Sequence, residues 1–392
     1  MKQKTLHSLL CLLLVLSFQT VKSQTKTNSA ERYLMITAPE YENTLNYFAN
    51  YKRNIGFDVQ VVTTNTTGKT PESIKKYIQN QYNNIKTRPV YLLLVGDVDK
   101  IPAYEGDPSG TDKNNPISDL GYSLLEGKDY FADLYLGRFS VSNNEELKNI
   151  IHKTIFMEVN MRDLTKKAKF IAGDDKKFAR LYMKTTFKQG HEYAIRHCFE
   201  PSGYLCEKLY QPDKITALKS FADQPLFYLY AGHGSFNALA GNSFEIARRD
   251  LTHASHTVFP VVFAFACKTG DFAHPKYVSM AEACIREKKG AVAYYGASVN
   301  TTTDSDVVIE KKIFSNPFSN EISTLSAWIN AGMKLFYKSY ITNRKTIRNL
   351  KSYNLLGDPS LNLTGVVSGT NHVISYSDTL QNEIQPPTII KK

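Results

Sequence analysis

Four short runs contain no charged or amide side chain: Tyr91–Val95 (YLLLV), Leu226–Tyr230 (LFYLY), Val261–Ala266 (VVFAFA) and Ala291–Tyr295 (AVAYY). Continuous apolar runs of five or six residues suit strands buried on both faces, the situation of parallel strands covered by helices. Amphipathic stretches separate them, beginning with Tyr41–Ile55 and Pro71–Lys86. Alternating strand-like and helix-like segments over nearly the whole chain predict an α/β protein with mainly parallel sheets flanked by helices.

The pattern divides in two. Residues 31–163 open with strands at Tyr33–Thr37 and Asp58–Val62, followed by the Tyr91–Val95 run, which exits into Gly96-Asp97. A Gly-, Pro-, Asp- and Asn-rich loop spans Glu105–Ser118, and Phe131–Leu136 gives another strand. Ser142 and Glu145 have the spacing of a capping box for a helix reaching Asn160. Leu164–Lys167 reads as the seam. Residues 168–365 repeat the logic, with helices expected at Phe187–His197, Tyr277–Lys288 and Ile322–Tyr340, and closure at Tyr353–Pro359. Residues 366–392 are a polar tail too short for another domain.

Residues 1–23 read as a signal peptide. Lys2 and Lys4 precede the apolar run Leu9–Phe18, and small residues lie near Ser23. That run is short for a membrane span, and no later segment is longer, so an exported chain without a membrane span is expected. The formal charge of +11 becomes +8 once the leader's three lysines are removed. The remaining Lys and Arg are spread among acids with no basic-aromatic stripe, which argues against nucleic acid as a partner. Four cysteines remain after the leader, Cys198, Cys206, Cys267 and Cys284, too few for a disulfide scaffold. Cys198 and Cys206 bracket a turn-rich stretch that a bridge could close, and Cys284 has the helical spacing of a packing thiol.

Two of the apolar runs end in reactive residues. Leu226–Tyr230 leads into Ala231-Gly232-His233-Gly234-Ser235, and Val261–Ala266 leads into Cys267. Parallel strands deliver their carboxyl ends to one sheet edge, where catalytic groups gather. The 34 positions from His233 to Cys267 leave room for one crossover, so the two strands can be neighbours. A Cys–His pair follows, with imidazole as the base and thiolate as the nucleophile. Gly234 and the Cys267 amide would supply an oxyanion hole. A phosphatase reading fails because Ala273, not arginine, stands six residues after the cysteine. His253 and His256 lack the partners of a zinc site.

Five blocks then occur in order: Tyr91–Asp97 with Ile101-Pro102, Leu136–Ser140, Gly232–Ser235, Ala266-Cys267 with Gly270-Asp271-Phe272, and Leu356–Ser360. With these blocks the chain resembles the gingipain-type cysteine peptidases of exported Bacteroidetes proteins, over roughly residues 31–365. The resemblance implies a caspase-like fold of two tandem α/β subdomains with the active site in the second. It implies Cys267 as nucleophile, His233 as base and acid, and Asp174 or Asp175 as the carboxylate that orients the histidine. It also implies protein or peptide substrates, a periplasmic or secreted location, no required cofactor, and structural calcium whose ligands are not assignable.

Around the substrate pocket that the resemblance implies, the pattern departs from the family. Lys188-Gln189 stands where Arg-specific members have an aspartate, and Asn300–Thr303 replaces a tryptophan region. Ser298, Asp304 and Asp306 remain as pocket candidates, the two acids suiting a basic side chain. The same dyad would serve a transpeptidase or sortase-like acyl transfer. A non-catalytic assembly relative is the third reading.

Overall fold

The structure is a computed structural model that describes residues 30–105, 116–173, 186–223, 225–253, 258–274, 276–319, 321–339, 344–364, 372–374 and 389–391. The leader over 1–23 and most of the tail over 366–392 lie outside the described residues, as do Asp174, Asp175 and His256.

In chain order the strands are β1 (Arg32–Thr37), β2 (Asp58–Thr63), β3 (Tyr91–Val95), the short β4 (Tyr104–Glu105) and β5 (Ile117–Ser118), β6 (Tyr135–Phe139), β7 (Lys167–Ala172), β8 (Leu205–Tyr210) and β9 (Phe227–Ala231). Then follow β10 (His233–Ser235), β11 (Ala238–Ala240), β12 (Glu245–Ala247), β13 (Val261–Phe265), β14 (Ala293–Ala297) and β15 (Tyr353–Leu356). Ten of them form one sheet in the order β2-β1-β3-β6-β15-β14-β13-β9-β7-β8. The strands of 31–163 and those of 168–365 thus share a single sheet, joined by β15. That strand runs parallel to β6 and antiparallel to β14. Every other pair in the sheet is parallel.

Because β15 reverses the sense, the strands of the two halves point to opposite edges of the sheet. The carboxyl ends of β9, β13 and β14 meet at one edge; those of β1, β3 and β6 meet at the other.

The apolar runs become central strands for the expected reason. Along β13, Val261, Phe263 and Phe265 pack into one core, while Val262, Ala264 and Ala266 pack into the core on the opposite face. β9 divides the same way, with Phe227 and Leu229 on one side and Tyr228 and Tyr230 on the other. A pleated strand covered on both faces must be apolar at every position. Helices Glu42–Asn54, Asn144–Asn160 and Met280–Arg286 contribute to the core around Val262 and Ala264, and Thr303–Ile313 and Leu325–Ser339 to the core around Phe263 and Phe265.

Buried charges brace the first half and tie it to the residues after β15. Arg138, fully buried on β6, donates from Nε and Nη2 to both Asp119 oxygens at 2.7 Å and from Nη1 to the Gly96 and Ile101 carbonyls. Lys52 Nζ lies 2.6 Å from Asp358 and 2.8 Å from Glu158, and the Tyr33 hydroxyl donates to Asp358 at 2.6 Å. Two of the motif blocks read from the sequence, around Arg138 and Asp358, therefore serve the core rather than the reactive edge.

Several sequence boundaries shift. The strand expected at Phe131–Leu136 begins at Tyr135, and the helix to Asn160 is capped by Asn143, whose side chain accepts the Glu146 amide. Helical spacing fits a Ser142 cap equally well, but its amide instead bonds the Glu146 carboxylate. The helix expected at Tyr277–Lys288 shortens to Met280–Arg286, where Ser279 and Glu282 make a true capping box. Cys198 and Cys206 are free thiols, not a bridge, and Cys284 is a buried free thiol.

Candidate active site

Strands β9 and β13 lie side by side with Ala231 opposite Phe265. His233 and Cys267 each stand two residues beyond that pair, at the same sheet edge. The chain after β9 turns at Gly232, whose amide donates to the Phe265 carbonyl at 3.4 Å. It then enters a small antiparallel sheet of β10, β11 and β12, with His233 opposite Ala240. The buried Tyr230 hydroxyl lies 2.6 Å from the His233 carbonyl oxygen and 2.7 Å from that of Ala240, tying the start of this hairpin to β9. The imidazole is exposed, and Phe187 meets it edge-on with ring centroids 5.8 Å apart.

Gly234 fits where no other residue could. A Cβ there would lie 2.6 Å from Thr269 Cγ2, 2.8 Å from the Cys267 carbonyl oxygen and 2.9 Å from Ala266 Cβ. The histidine loop and the cysteine loop are thus in direct backbone contact. Beyond Cys267 the chain bends sharply: Lys268 has φ of 57°, a left-handed conformation that costs a non-glycine residue about 1 kcal/mol. The bend is held by the Lys268 amide on Val299 O at 3.0 Å and the Gly270 amide on Ala297 O at 2.8 Å. It crosses so close to β14 that a Cβ on Gly270 would lie 2.6 Å from Gly296 O.

The Cys267 sulfur is half-buried. It accepts the Thr301 amide at 3.4 Å and lies 3.6 Å from the Thr301 carbonyl oxygen. Burial raises the thiol above its ordinary pKa; the Thr301 amide opposes the shift and the nearby Asp306 charge adds to it. Burial thus disfavours the thiolate.

Asp306 sits just behind. It is buried in the first turn of the helix Thr303–Ile313, accepting the Thr301 hydroxyl at 2.6 Å and the Tyr353 hydroxyl at 2.7 Å. Burial pushes its carboxyl up to about 7, against the lowering effect of these two donors. The helix is anchored from below, where His191 Nδ1 lies 2.5 Å from Glu310 Oε1.

Of the other pocket candidates, Asp304 lies on the exposed side of that helix. Ser298 is buried and its hydroxyl accepts the Ile117 amide of β5 at 3.2 Å. Asp174 and Asp175 lie outside the described residues; Gly173, just before them, donates its amide to Ala231 O at 2.9 Å. Sequence reasoning missed Thr301 and Tyr353 as partners of the cysteine and aspartate, and only the proximity of Thr301 to Ser298 hinted at the first. Among the described residues no three His, Cys, Asp or Glu side chains gather as a cation site, so no ligands are assigned for the calcium expected from the resemblance. No helix among the described residues is long and apolar enough to cross a membrane.

The chain is 31% identical over 291 residues to Lys-gingipain of Porphyromonas gingivalis, which covers 71% of this chain and 16% of that protein. It is 27% identical over 352 residues to gingipain R2 of the same organism, covering 84% of this chain and 45% of that one. The chain therefore spans less than half the length of these relatives. The crystal structure of the Arg specific cysteine proteinase gingipain R superposes with a TM-score of 0.75 at 22% identity, covering 87% of this chain and 80% of that one, a likeness of caspase-like fold. Residues 26–364 match Peptidase family C25, and the chain is a member of that family.

Proposed function

We propose that the protein is a cysteine endopeptidase, with Cys267 as nucleophile and His233 as the group that carries the proton. The observation that carries this reading is the shared edge: both residues stand two positions past the Ala231–Phe265 pair, with Gly234 packed on the Cys267 carbonyl.

Because burial disfavours the thiolate, deprotonation is written together with attack. As the sulfur attacks the scissile carbonyl carbon, its proton passes to the His233 imidazole and the carbonyl π pair moves to oxygen. The Gly234 and Cys267 amides are the donors proposed for that oxyanion. When the C–N bond breaks, His233 returns the proton to the departing amine, leaving a thioester on Cys267. Water, activated by the same imidazole, then releases the acid and restores the thiol. Asp174 or Asp175 is proposed to orient the imidazole; they follow Gly173, whose amide donates to the Ala231 carbonyl.

The acyl-side pocket is assigned to the β14 side of the sulfur, around Thr301 and Asp306, and to a basic substrate side chain. An ammonium or guanidinium close to Asp306 would favour its charged form, which burial alone disfavours. Proteins or peptides are the proposed substrates. Export is proposed from the Lys2, Lys4 and Leu9–Phe18 pattern.

Labelling by a peptide carrying a thiol-directed electrophile tests the assignment. Covalent adduct on the parent and none on Cys267→Ala is expected, with hydrolysis lost in both Cys267→Ala and His233→Ala. A parent that neither labels nor cleaves any member of a mixed peptide library overturns it. In that library, cuts after apolar residues would remove the basic pocket. Transfer of the acyl group to an added amine in preference to water would make the enzyme a transpeptidase.

A further inference from the structure

Just past the two reactive residues lies an aromatic cluster that the chemistry above does not use. Phe236 follows β10, three residues after His233; His274 and Tyr277 lie in the loop between Cys267 and the helix Met280–Arg286. The Phe236 ring stacks on His274 at 5.2 Å and 17° and on Tyr277 at 4.9 Å and 24°, and His274 lies 4.9 Å from Tyr277. Tyr277 is 50% exposed, which is unusual for so large an aromatic ring placed beside a reactive edge.

The cluster is fixed rather than loosely draped. The Met280 amide donates to the Phe236 carbonyl at 2.6 Å, joining the histidine loop to the cysteine loop. Arg248 Nη1 donates to the Val278 carbonyl at 2.6 Å, and the Lys276 amide donates to His274 Nδ1 at 3.3 Å.

Sheet order gives the side. β13, which carries Cys267, lies between β14 and β9. Thr301 and Asp306 follow β14, whereas His233 and Phe236 follow β9. A peptide with its acyl-side residue toward Thr301 lays its departing half across the β9 side, where His233 must reach the amine nitrogen. The aromatic cluster lies on that departing half.

We propose that Phe236, His274 and Tyr277 form a subsite for an aromatic side chain within the first two residues of the departing segment. Stacked rings favour a further aromatic ring in offset or edge-on contact. Arg248, held on the Val278 carbonyl next to Tyr277, disfavours a lysine or arginine in the same place. Beyond the cluster a groove of about 540 Å³, bordered by Asn237, Val278, Arg248 and Arg249, leaves room for the rest of the departing chain.

This inference rests on the assignment of Cys267 and His233 above, and its test separates the two. Peptides with one acyl half and Phe, Leu, Lys, Asp or Gly at each of the first two departing positions are compared by kcat/KM, while the electrophile adduct on Cys267 is scored in parallel. The expected result is a preference of about 3- to 10-fold for Phe over Gly at one of those positions, the scale of a single aromatic contact. That ratio falls toward one in Tyr277→Ala and in Phe236→Leu, two variants of which the first alters only a half-exposed side chain. Equal rates for Phe and Gly with the adduct intact, or a ratio unchanged in both variants, overturns the subsite alone. Loss of adduct and cleavage in the parent overturns the catalytic assignment instead. A preference for Lys or Asp at these positions also overturns the aromatic subsite.

Discussion

Thr301 donates its hydroxyl to Asp306 at 2.6 Å while its backbone amide donates to the sulfur of Cys267 at 3.4 Å. One residue thus links a buried carboxyl to the proposed nucleophile. The Asp306 charge, when present, works against ionisation of the thiol.

The thiol's reactivity should therefore depend on the state of Asp306. Asp306→Asn removes a negative charge that exists only above about pH 7. Iodoacetamide should modify Cys267 faster in the variant than in the parent at pH 8, and at equal rates at pH 5, where the parent carboxyl is already neutral. Timed alkylation read by mass spectrometry measures both. A ratio independent of pH would show that the carboxyl does not reach the sulfur electrostatically.

The same carboxyl has a cost for folding, and its sign is definite. Its folded pKa, about 7, lies above the ordinary aspartate value of 3.8, so between those values the folded state holds the proton that the unfolded state has released. Stability from this group is fully present below about pH 4 and declines as pH rises toward 7. The decline is on the order of 4 kcal/mol at most. Urea unfolding midpoints of the parent should fall relative to Asp306→Asn across that window. Parallel midpoints at pH 4.5 and 7.5 would contradict the shift.

Gly234→Ala should disable the enzyme without unfolding it. The added methyl meets Thr269, the Cys267 carbonyl and Ala266 at 2.6–2.9 Å, so the histidine loop must retreat from the cysteine loop. Misplacement on the scale of 1 Å typically lowers the rate by about 10²-fold. The check is kcat/KM beside a far-UV spectrum; retained activity would mean the two loops need not touch.

Arg138→Met tests the polar core of the first half. It removes the partner of Asp119 inside the core and the donors for Gly96 O and Ile101 O. Stranding one member of a buried pair costs about 3–5 kcal/mol. Denaturant unfolding should show a loss of that size, and a loss below about 1 kcal/mol would indicate that water enters the site and solvates Asp119.

The apolar runs announced their strands because burial on both faces leaves no position free for a polar residue. Val261–Ala266 became β13 almost to the residue, and the register that aligns His233 with Cys267 followed from it. The 353–356 stretch was harder to read. Tyr353-Asn354-Leu355-Leu356 is short, ends in Gly-Asp-Pro and resembles a closing turn, yet it is a central strand whose partners lie on β6 and β14. Thr301 and Tyr353 show the same limit. Both bond Asp306, but their roles depend on a loop and a strand that are brought together only by the tertiary fold. Caps slipped by a residue or more for a local reason, since Ser142, Asn143 and Ser279 all have side chains able to accept an amide proton.

The placement of β15 makes completion of the sheet a late event in the life of the chain. This strand is among the last residues of the described fold to be synthesised, yet it occupies the slot between the two oppositely running halves. Until it arrives, a nascent chain holds two open half-sheets with bare inner edges, the kind of surface that pairs wrongly with other chains. Closure also waits on contacts of long sequence separation, which slow assembly. Because Tyr353 bonds Asp306 beside the nucleophile, the ribosome finishes the joining strand and the support of the reactive edge together, so a truncated product lacks both.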